Sequence, residues 1–228
     1  MKRGKKYEKT VKDLDKSKTY SLEEGIKKAK ELSYSKFVGS LELHTNIKIP
    51  KDKDPKSIKG SLSLPHSNGN TDVKVAVFTK DKQDEAKKAG ADFFDFDKLV
   101  KDVKEGKVEF DVAIATPSVM SEIAILGKEL GPKGLMPNPK VGTVTEDIAT
   151  AVTEYKKGKQ TFACDASGVI HIKVGKLDME EEKLVENVHE AIKAIEVAVG
   201  RNYEQAISKL HLSPTMGPSV KVKYSKPE

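Results

Sequence analysis

The chain has 228 residues, enough for one large domain or two small ones with a sizeable core. It holds 41 Lys and Arg against 35 Asp and Glu, and no apolar run reaches the ~18 residues that span a bilayer, which excludes a membrane-spanning protein. One cysteine excludes an internal disulfide, and the basic N-terminus lacks the apolar segment of a secretory signal. We therefore expect a cytoplasmic protein.

The basic excess lies at the two ends of the chain. Residues 68–159 hold 15 Lys and 16 acidic residues, whereas the rest holds 26 basic and 19 acidic residues. This pattern favours a polyanionic partner such as nucleic acid, although a lysine-rich surface can also serve solubility alone. Arg3 and Arg201 are the only arginines. Because lysine pairs poorly with base edges, we expect recognition of backbone and shape.

The first clear elements are a helix and two strands. Residues 21–32 begin with Ser21 and Glu24 in the pattern of a capping box, and apolar residues then recur at helical spacing. Residues 40–48 and 61–65 alternate between apolar and polar side chains. This alternation predicts antiparallel strands with one face on helices and the other in water.

The middle of the chain follows a different pattern. Apolar runs at 72–78 and 110–116 are separated by helical segments, and a further helix is predicted over 146–158. Strands that alternate with helices indicate a βαβ unit with a parallel sheet. Residues 125–143 interleave glycines and prolines with lysines, which predicts a long loop that cannot continue a helix.

The C-terminal part returns to alternating strands, at 169–174 and 219–224. Between them a long helix is predicted over 180–199, with Asp178 as its N-cap and Gly200 as its stop. Two strands from each end of the chain can then form a single antiparallel sheet, provided that the middle of the chain is an insertion.

The predicted fold is therefore α+β combined with α/β. Residues 1–67 and 160–228 form a split α+β domain, and residues 68–159 form an inserted α/β domain. Turn-rich segments at 65–70 and 155–160 are the predicted junctions, and two connections of this kind are typical of a hinge.

The sequence gives little support to catalysis. It contains no glycine-rich phosphate-binding motif, and its five histidines show no metal-ligand spacing with one another or with Cys164. Cys164 is expected to be a small buried residue. No cofactor or metal is expected.

Three segments could bind a ligand. In 35–40, Phe37 is either a ring exposed for stacking on bases or a core residue between helix and sheet. The loop 213–219 offers hydroxyls, backbone N–H groups and a glycine, but could also be a plain connection. The third segment is the lysine-rich loop 125–143.

These segments resemble the ribosomal protein L1 family over essentially the whole chain. The most specific match is ILGKELGPKGLMPNPK at 125–140. Further matches follow in the same order as in the family: SKF at 35–37, SLPH at 63–66, DASGVIHIKVGK at 165–176 and TMGPSV at 215–220.

The resemblance implies a split RNA-binding domain and an inserted three-layer, Rossmann-like α/β domain. It implies a non-enzymatic, ribosome-bound constituent of the large subunit that binds the stalk region of 23S rRNA near the tRNA exit site. It also implies that the protein assists release of deacylated tRNA and represses translation of its own operon mRNA. The expected partners are thus 23S rRNA, that mRNA and exit-site tRNA.

The resemblance also implies which residues bind RNA. The expected surface comprises Lys36, Phe37, Ser40, Glu42, His44, Asp165, His171, Thr215, Met216, Gly217 and Ser219. Lys133 and Lys140 of the inserted domain are expected to contact further RNA or tRNA. The chain departs from the family where it has PHSNGN at 65–70 in place of a PHGxGK pattern, which bears on the hinge.

Two alternatives belong to other classes of protein. The first is an α/β enzyme whose loop 127–142 holds a phosphorylated small molecule. The second is a sequence-tolerant DNA-binding protein, which would bind duplex DNA as well as structured RNA at the same salt concentration.

Overall fold

The computed structural model describes most of the chain, namely residues 4–12, 14–15, 18–49, 54–66 and 73–225. The chain divides into two compact units. The first comprises Met1–Gly69 with Thr161–Glu228, and the second comprises Asn70–Gln160. Of the predicted junction at 65–70, only Pro65 and His66 lie within the described residues.

The first unit contains a four-stranded antiparallel sheet. Its strands, in spatial order, are β6 (Val169–Lys176), β1 (Ser40–Ile47), β7 (Ile207–Pro214) and β8 (Val220–Val222). The central strand β1 comes from the N-terminal part of the chain, and its three companions come from the C-terminal part. The predicted α+β arrangement, in which both ends build one sheet, is therefore confirmed.

One strand of that sheet was assigned wrongly from the sequence. The alternating segment 61–65 does not join it; β2 (Lys59–Leu62) pairs instead with β5 (Gln160–Ala163) in a separate two-stranded sheet. The sequence prediction missed β7 because its alternation is broken. The register shifts between Asn46 and Ile47, so that Ser208 and Lys209 on β7 both point outward in succession.

The helices of the first unit are α1 (Lys5–Lys12), α2 (Leu22–Glu31), α8 (Glu181–Val199) and α9 (Tyr203–Ala206). The capping box predicted for α2 is present: the Glu24 N–H donates to the Ser21 hydroxyl and the Ser21 N–H donates to the Glu24 carboxylate. The predicted N-cap of α8 is wrong, because Glu180 and not Asp178 occupies that position. Gly200 ends α8 with a φ of 73°, as predicted.

Helices α2 and α8 cover one face of the four-stranded sheet. Their buried side chains, such as Ile26 and Leu184, join Leu43 and Ile172 of the sheet in one hydrophobic core. Burying each such side chain stabilises the fold by roughly 1.5–3 kcal/mol. The polar residues that alternate with this core therefore lie on the opposite face of the sheet.

The second unit is built around two parallel strands, β3 (Val75–Phe78) and β4 (Val112–Ala115). Its helices are α3 (Gln83–Lys88), α4 (Phe96–Lys104), α5 (Met120–Ile123), α6 (Gly127–Leu130) and α7 (Ile148–Lys156). Isolated parallel bridges at Phe93 and Val144 extend the sheet on both sides.

Alternate residues of β3 face two different cores. Ala76 and Phe78 pack with α4, whereas Val75 and Val77 pack with α7. Helices on both faces of a parallel sheet make a three-layer α/β arrangement, which confirms the predicted fold class of the inserted segment.

The segment 125–143 begins as helix, so its description as a loop throughout is wrong. Residues 124–126 form a 3₁₀ turn and α6 follows directly, because Leu126 and Leu130 are buried in the core of the second unit. Within the described ranges, no helix combines the length and the apolar character needed to cross a bilayer.

Candidate nucleic-acid interface

Three imidazole rings lie side by side on the solvent face of the four-stranded sheet. His44 on β1 stands opposite His171 on β6 and, on its other side, opposite His211 on β7. The Nδ1 atoms of His44 and His171 are 2.6 Å apart, so that one ring donates a hydrogen bond to the other. We call these residues the histidine row. Lys221 on β8, opposite His211, continues it to the edge of the sheet.

Burial lowers the pKa of His44, and the neighbouring His171 lowers it further against the opposing effect of Glu42. Burial also lowers the pKa of His211, followed by the charges of Lys209 and Lys221. Both rings are therefore neutral at pH 7 and can accept as well as donate hydrogen bonds.

Charged residues lie beside the histidine row. Glu42 stands opposite Lys173 on β6, and its carboxylate lies 3.7 Å from His44 Nε2. Lys209 on β7 stands opposite Asn46. The solvent face of the sheet thus combines lysine charges with hydrogen-bonding groups, as a surface that contacts phosphate and sugar requires.

The carboxylate of Asp165 mainly stabilises the turn that contains it. One of its carboxylate oxygens accepts the backbone N–H groups of Ser167 and Val169, at 2.9 and 2.8 Å. The Val169 hydrogen bond is the main cause of the lowered pKa of Asp165, and the charge of His171 contributes. The other oxygen is 3.9 Å from His171 Nε2. Asp165 thus orients β6 and lies close to the histidine row.

Exposed apolar side chains collect near the end of the sheet where β1 begins. Phe37 is 59% exposed, Val38 is 56% exposed and Met216 is 40% exposed. Phe37 is therefore not a core residue. These three account for most of the exposed large hydrophobic side chains within the described residues; the others are Ile125 and Val197. Exposed apolar side chains concentrated in this way are typical of an interaction site.

Thr215 joins the two loops that carry these side chains. Its hydroxyl accepts the Ser40 N–H at 2.8 Å and donates to the Ser40 carbonyl at 3.2 Å. The Met216 carbonyl accepts the Tyr34 N–H. The loop 215–219, which we call the Thr-Met-Gly loop, is thereby fixed against both β1 and the end of α2.

Gly217 allows this loop to approach α2 closely. A Cβ atom at this position would lie 2.6 Å from Pro214 Cγ and 2.9 Å from the Leu32 carbonyl oxygen. The glycine is therefore required by packing inside the protein. Met216 and Ser219 on either side remain exposed.

The structure gathers the eleven predicted RNA-binding residues in the first unit. Ser40, Glu42, His44 and His171 lie on the sheet, with Asp165 at the turn before β6. The other predicted residues lie in the two loops at the start and end of neighbouring strands: Lys36, Phe37, Thr215, Met216, Gly217 and Ser219. Lys133 and Lys140 are exposed in the second unit.

Sequence reasoning missed the residues that complete this surface on β7 and β8. His211, Lys209 and Lys221 could not be placed beside His44 without the register of β7. The alternation of apolar and polar side chains at Leu210, His211 and Leu212 was the sequence feature from which β7 could have been predicted. No cluster of three or more His, Cys, Asp or Glu side chains suited to a metal ion occurs in the part of the chain that the structure describes.

Comparison with known proteins agrees with this architecture. A profile of the ribosomal protein L1p/L10e family matches residues 26–218. The chain belongs to this family.

Individual members are similar over nearly their whole length. Large ribosomal subunit protein uL1 of Kosmotoga olearia is 43% identical over 99% of this chain and 98% of its own. Proteins of the same name from Thermosipho melanesiensis and Leptospira biflexa are each 45% identical, over 97% and 86% of this chain and 96% and 84% of theirs. L1 homologues are structural, non-enzymatic proteins, so the chain is a ribosomal protein and not an enzyme.

Proposed function

We propose that the first unit binds the stalk region of 23S rRNA and thereby holds the protein on the large ribosomal subunit near the tRNA exit site. The observation that carries this proposal is the position of Phe37, Val38 and Met216, exposed beside a polar sheet face that bears lysines and the histidine row. An apolar patch next to cationic and hydrogen-bonding groups suits a folded RNA with unstacked bases.

Attraction and selectivity come from different parts of this surface. Lysines such as Lys36 and Lys173 neutralise phosphates, and each neutralised phosphate adds roughly 0.7–0.9 to the slope of log K against log[salt]. The exposed ring of Phe37 offers a stacking platform. Because the Thr-Met-Gly loop is fixed by Ser40 and Tyr34, it presents one shape to the RNA.

The test replaces one exposed apolar residue at the site and one outside it. Phe37→Ala in the full chain should weaken binding to a stalk rRNA fragment about tenfold, since loss of one base–aromatic stack costs ~1–3 kcal/mol. Val197→Ala, on the outer surface of α8, should leave the affinity unchanged. Affinity is measured by filter binding at one salt concentration. Equal affinities of the two variants would contradict the proposed site.

The second unit extends this function to the exit-site tRNA. Its Lys133 and Lys140 are exposed on a loop whose apolar residues Leu135 and Met136 pack against the core of that unit. Asn138 accepts the Lys140 N–H at 2.9 Å. A loop anchored in this way can present lysines to tRNA phosphates, and we propose that it assists release of deacylated tRNA.

Repression of the operon mRNA follows if that messenger carries an RNA structure similar to the stalk. The two RNAs would then use the same surface of the first unit. A stalk rRNA fragment should therefore displace a labelled operon leader from the protein, and Phe37→Ala should weaken both complexes by a similar factor.

A further inference from the structure

A polar cleft opens beside the Thr-Met-Gly loop, between the N-terminal segment and the edge of the sheet. Its volume is about 280 Å³. Leu14 and Pro218 contribute apolar surface, whereas the remaining lining residues are polar, charged or aromatic: Tyr7, Asp15, Lys18, His211, Ser219 and Lys221. The functions proposed above reach this cleft at Ser219 and His211, but they do not use its N-terminal side, which Tyr7, Asp15 and Lys18 line.

Backbone pairing places the N-terminal segment along β8. Tyr20 forms a parallel bridge with Val222, its N–H donates to the Lys221 carbonyl at 3.0 Å, and its carbonyl accepts the Lys223 N–H at 2.9 Å. Leu14, which precedes Tyr20 in the chain, is buried in the core of the first unit and provides a second attachment of the N-terminal segment. This backbone pairing places Lys18 and Lys221 so that both line the same cleft.

The cleft is suited to an anion attached to a flat ring. Lys18 and Lys221 supply two positive charges against the single carboxylate of Asp15 among the lining residues. The exposed Ser219 can donate a hydroxyl hydrogen bond, and the half-exposed ring of Tyr7 offers an aromatic surface. His211, whose pKa is lowered, is neutral at pH 7 and can accept a hydrogen bond from a base or a ribose.

We propose that this cleft binds one nucleotide of the bound RNA, with its phosphate at Lys18 and Lys221 and its base against Tyr7. The proposal rests on the proposed function, because Ser219 and His211 connect the cleft to the surface assigned to rRNA. The volume lies just below the roughly 300 Å³ at which small-molecule pockets begin, which suits one nucleotide of a longer chain. The RNA footprint accordingly extends past the Thr-Met-Gly loop to the N-terminal segment.

The first experiment compares two lysines of the first unit in the full-length protein. Lys221→Ala should weaken binding to a stalk rRNA fragment several-fold and reduce the salt slope by about 0.7–0.9, the value for one lost phosphate contact. Lys27→Ala, an exposed residue of α2 on the other side of the sheet, should change neither quantity. Tyr7→Ala should weaken binding roughly tenfold, whereas Tyr7→Phe should retain the affinity because it keeps the ring.

The second experiment locates the RNA directly and does not depend on affinity. A Lys18→Cys variant is labelled with an iron chelate that cleaves nearby RNA; the native Cys164 is only 4% exposed and remains unlabelled. Cleavage of the stalk fragment should fall within a few nucleotides of one position. The same chelate on a Val197→Cys variant should give no cleavage.

The outcomes separate this proposal from the proposed function. If the wild-type protein binds the stalk fragment but Lys221→Ala and Tyr7→Ala behave like Lys27→Ala, and position 18 gives no cleavage, the nucleotide site is wrong and the proposed function stands. If the wild-type protein does not bind the fragment, the proposed function itself fails. Saturable binding of a free nucleoside monophosphate that these variants abolish, with unchanged RNA affinity, would also overturn the assignment to RNA.

Discussion

At the scale of single residues, the side chain of Thr215 shows that a residue expected to bind RNA can first of all hold the protein together. Its hydroxyl makes two hydrogen bonds to the backbone of Ser40, one as acceptor and one as donor. Gly217 is likewise fixed by close contacts with Pro214 and Leu32. The resemblance to L1 proteins indicated both positions from the sequence, but their internal contacts could be seen only in the folded chain.

This arrangement predicts different effects for two substitutions of Thr215. Thr215→Ala removes both hydrogen bonds, and we expect it to lower the free energy of unfolding by about 1 kcal/mol and to weaken rRNA binding by loosening the loop. Thr215→Ser keeps the hydroxyl and should retain most of both properties. Urea denaturation and filter binding measure the two effects. A Thr215→Ala protein with unchanged stability and weakened binding would indicate that the hydroxyl contacts RNA directly.

At the scale of secondary-structure elements, the strongest local patterns in the sequence were sufficient to predict individual helices and strands. The capping box gave α2, the helical apolar spacing gave α8, and the alternation at 40–48 gave β1. Strand β7 was missed because the register shift at Asn46 and Ile47 breaks its alternation. The histidine row could not be predicted for the same reason, since it exists only when β6, β1 and β7 are aligned.

The alignment of three imidazoles predicts how stability depends on pH. The pKa values of His44 and His211 are lowered in the folded protein, so below the ordinary histidine value of 6.5 the unfolded chain binds more protons than the folded chain. The free energy of unfolding should therefore be at its full value above about pH 6.5 and fall as the pH decreases further. Urea denaturation between pH 8 and pH 5.5 measures this dependence.

A His44→Gln variant provides the control for this prediction. It removes one ring with a lowered pKa, whereas His211 and His189, whose pKa values burial also lowers, remain. Its stability should therefore fall less steeply than that of the wild type as the pH decreases, but should still fall. If the free energy of unfolding falls with decreasing pH at the same slope in both proteins, His44 does not contribute to the pH dependence.

At the scale of the whole molecule, each unit has a hydrophobic core of its own. The core of the first unit draws on residues from both ends of the chain, and the two cores of the second unit draw only on residues 75–155. The basic excess lies in 1–67 and 160–228, outside the inserted segment. Composition alone therefore predicts that the two ends of the chain, and not the inserted segment, attract a polyanion.

Separate cores predict that the first unit binds rRNA without the second. A chain in which residues 1–67 are joined to 160–228 by a short linker should bind the stalk fragment with an affinity close to that of the full protein. It should also bind labelled operon leader, but it should not assist tRNA release on the ribosome, because it lacks Lys133 and Lys140, the residues that we propose for this role. Loss of rRNA binding in a joined chain with a native circular dichroism spectrum would assign the binding site to the inserted segment.

The central position of β1 has a consequence for biosynthesis. Both neighbours of this strand, β6 and β7, are translated more than a hundred residues later, whereas residues 70–160 are contiguous and can fold while the chain is still being made. A nascent chain that stops before position 207 lacks one neighbour of β1 and cannot complete the sheet. The sheet that carries the proposed RNA-binding surface is therefore complete only in finished molecules, and not in chains whose synthesis has stopped before β7.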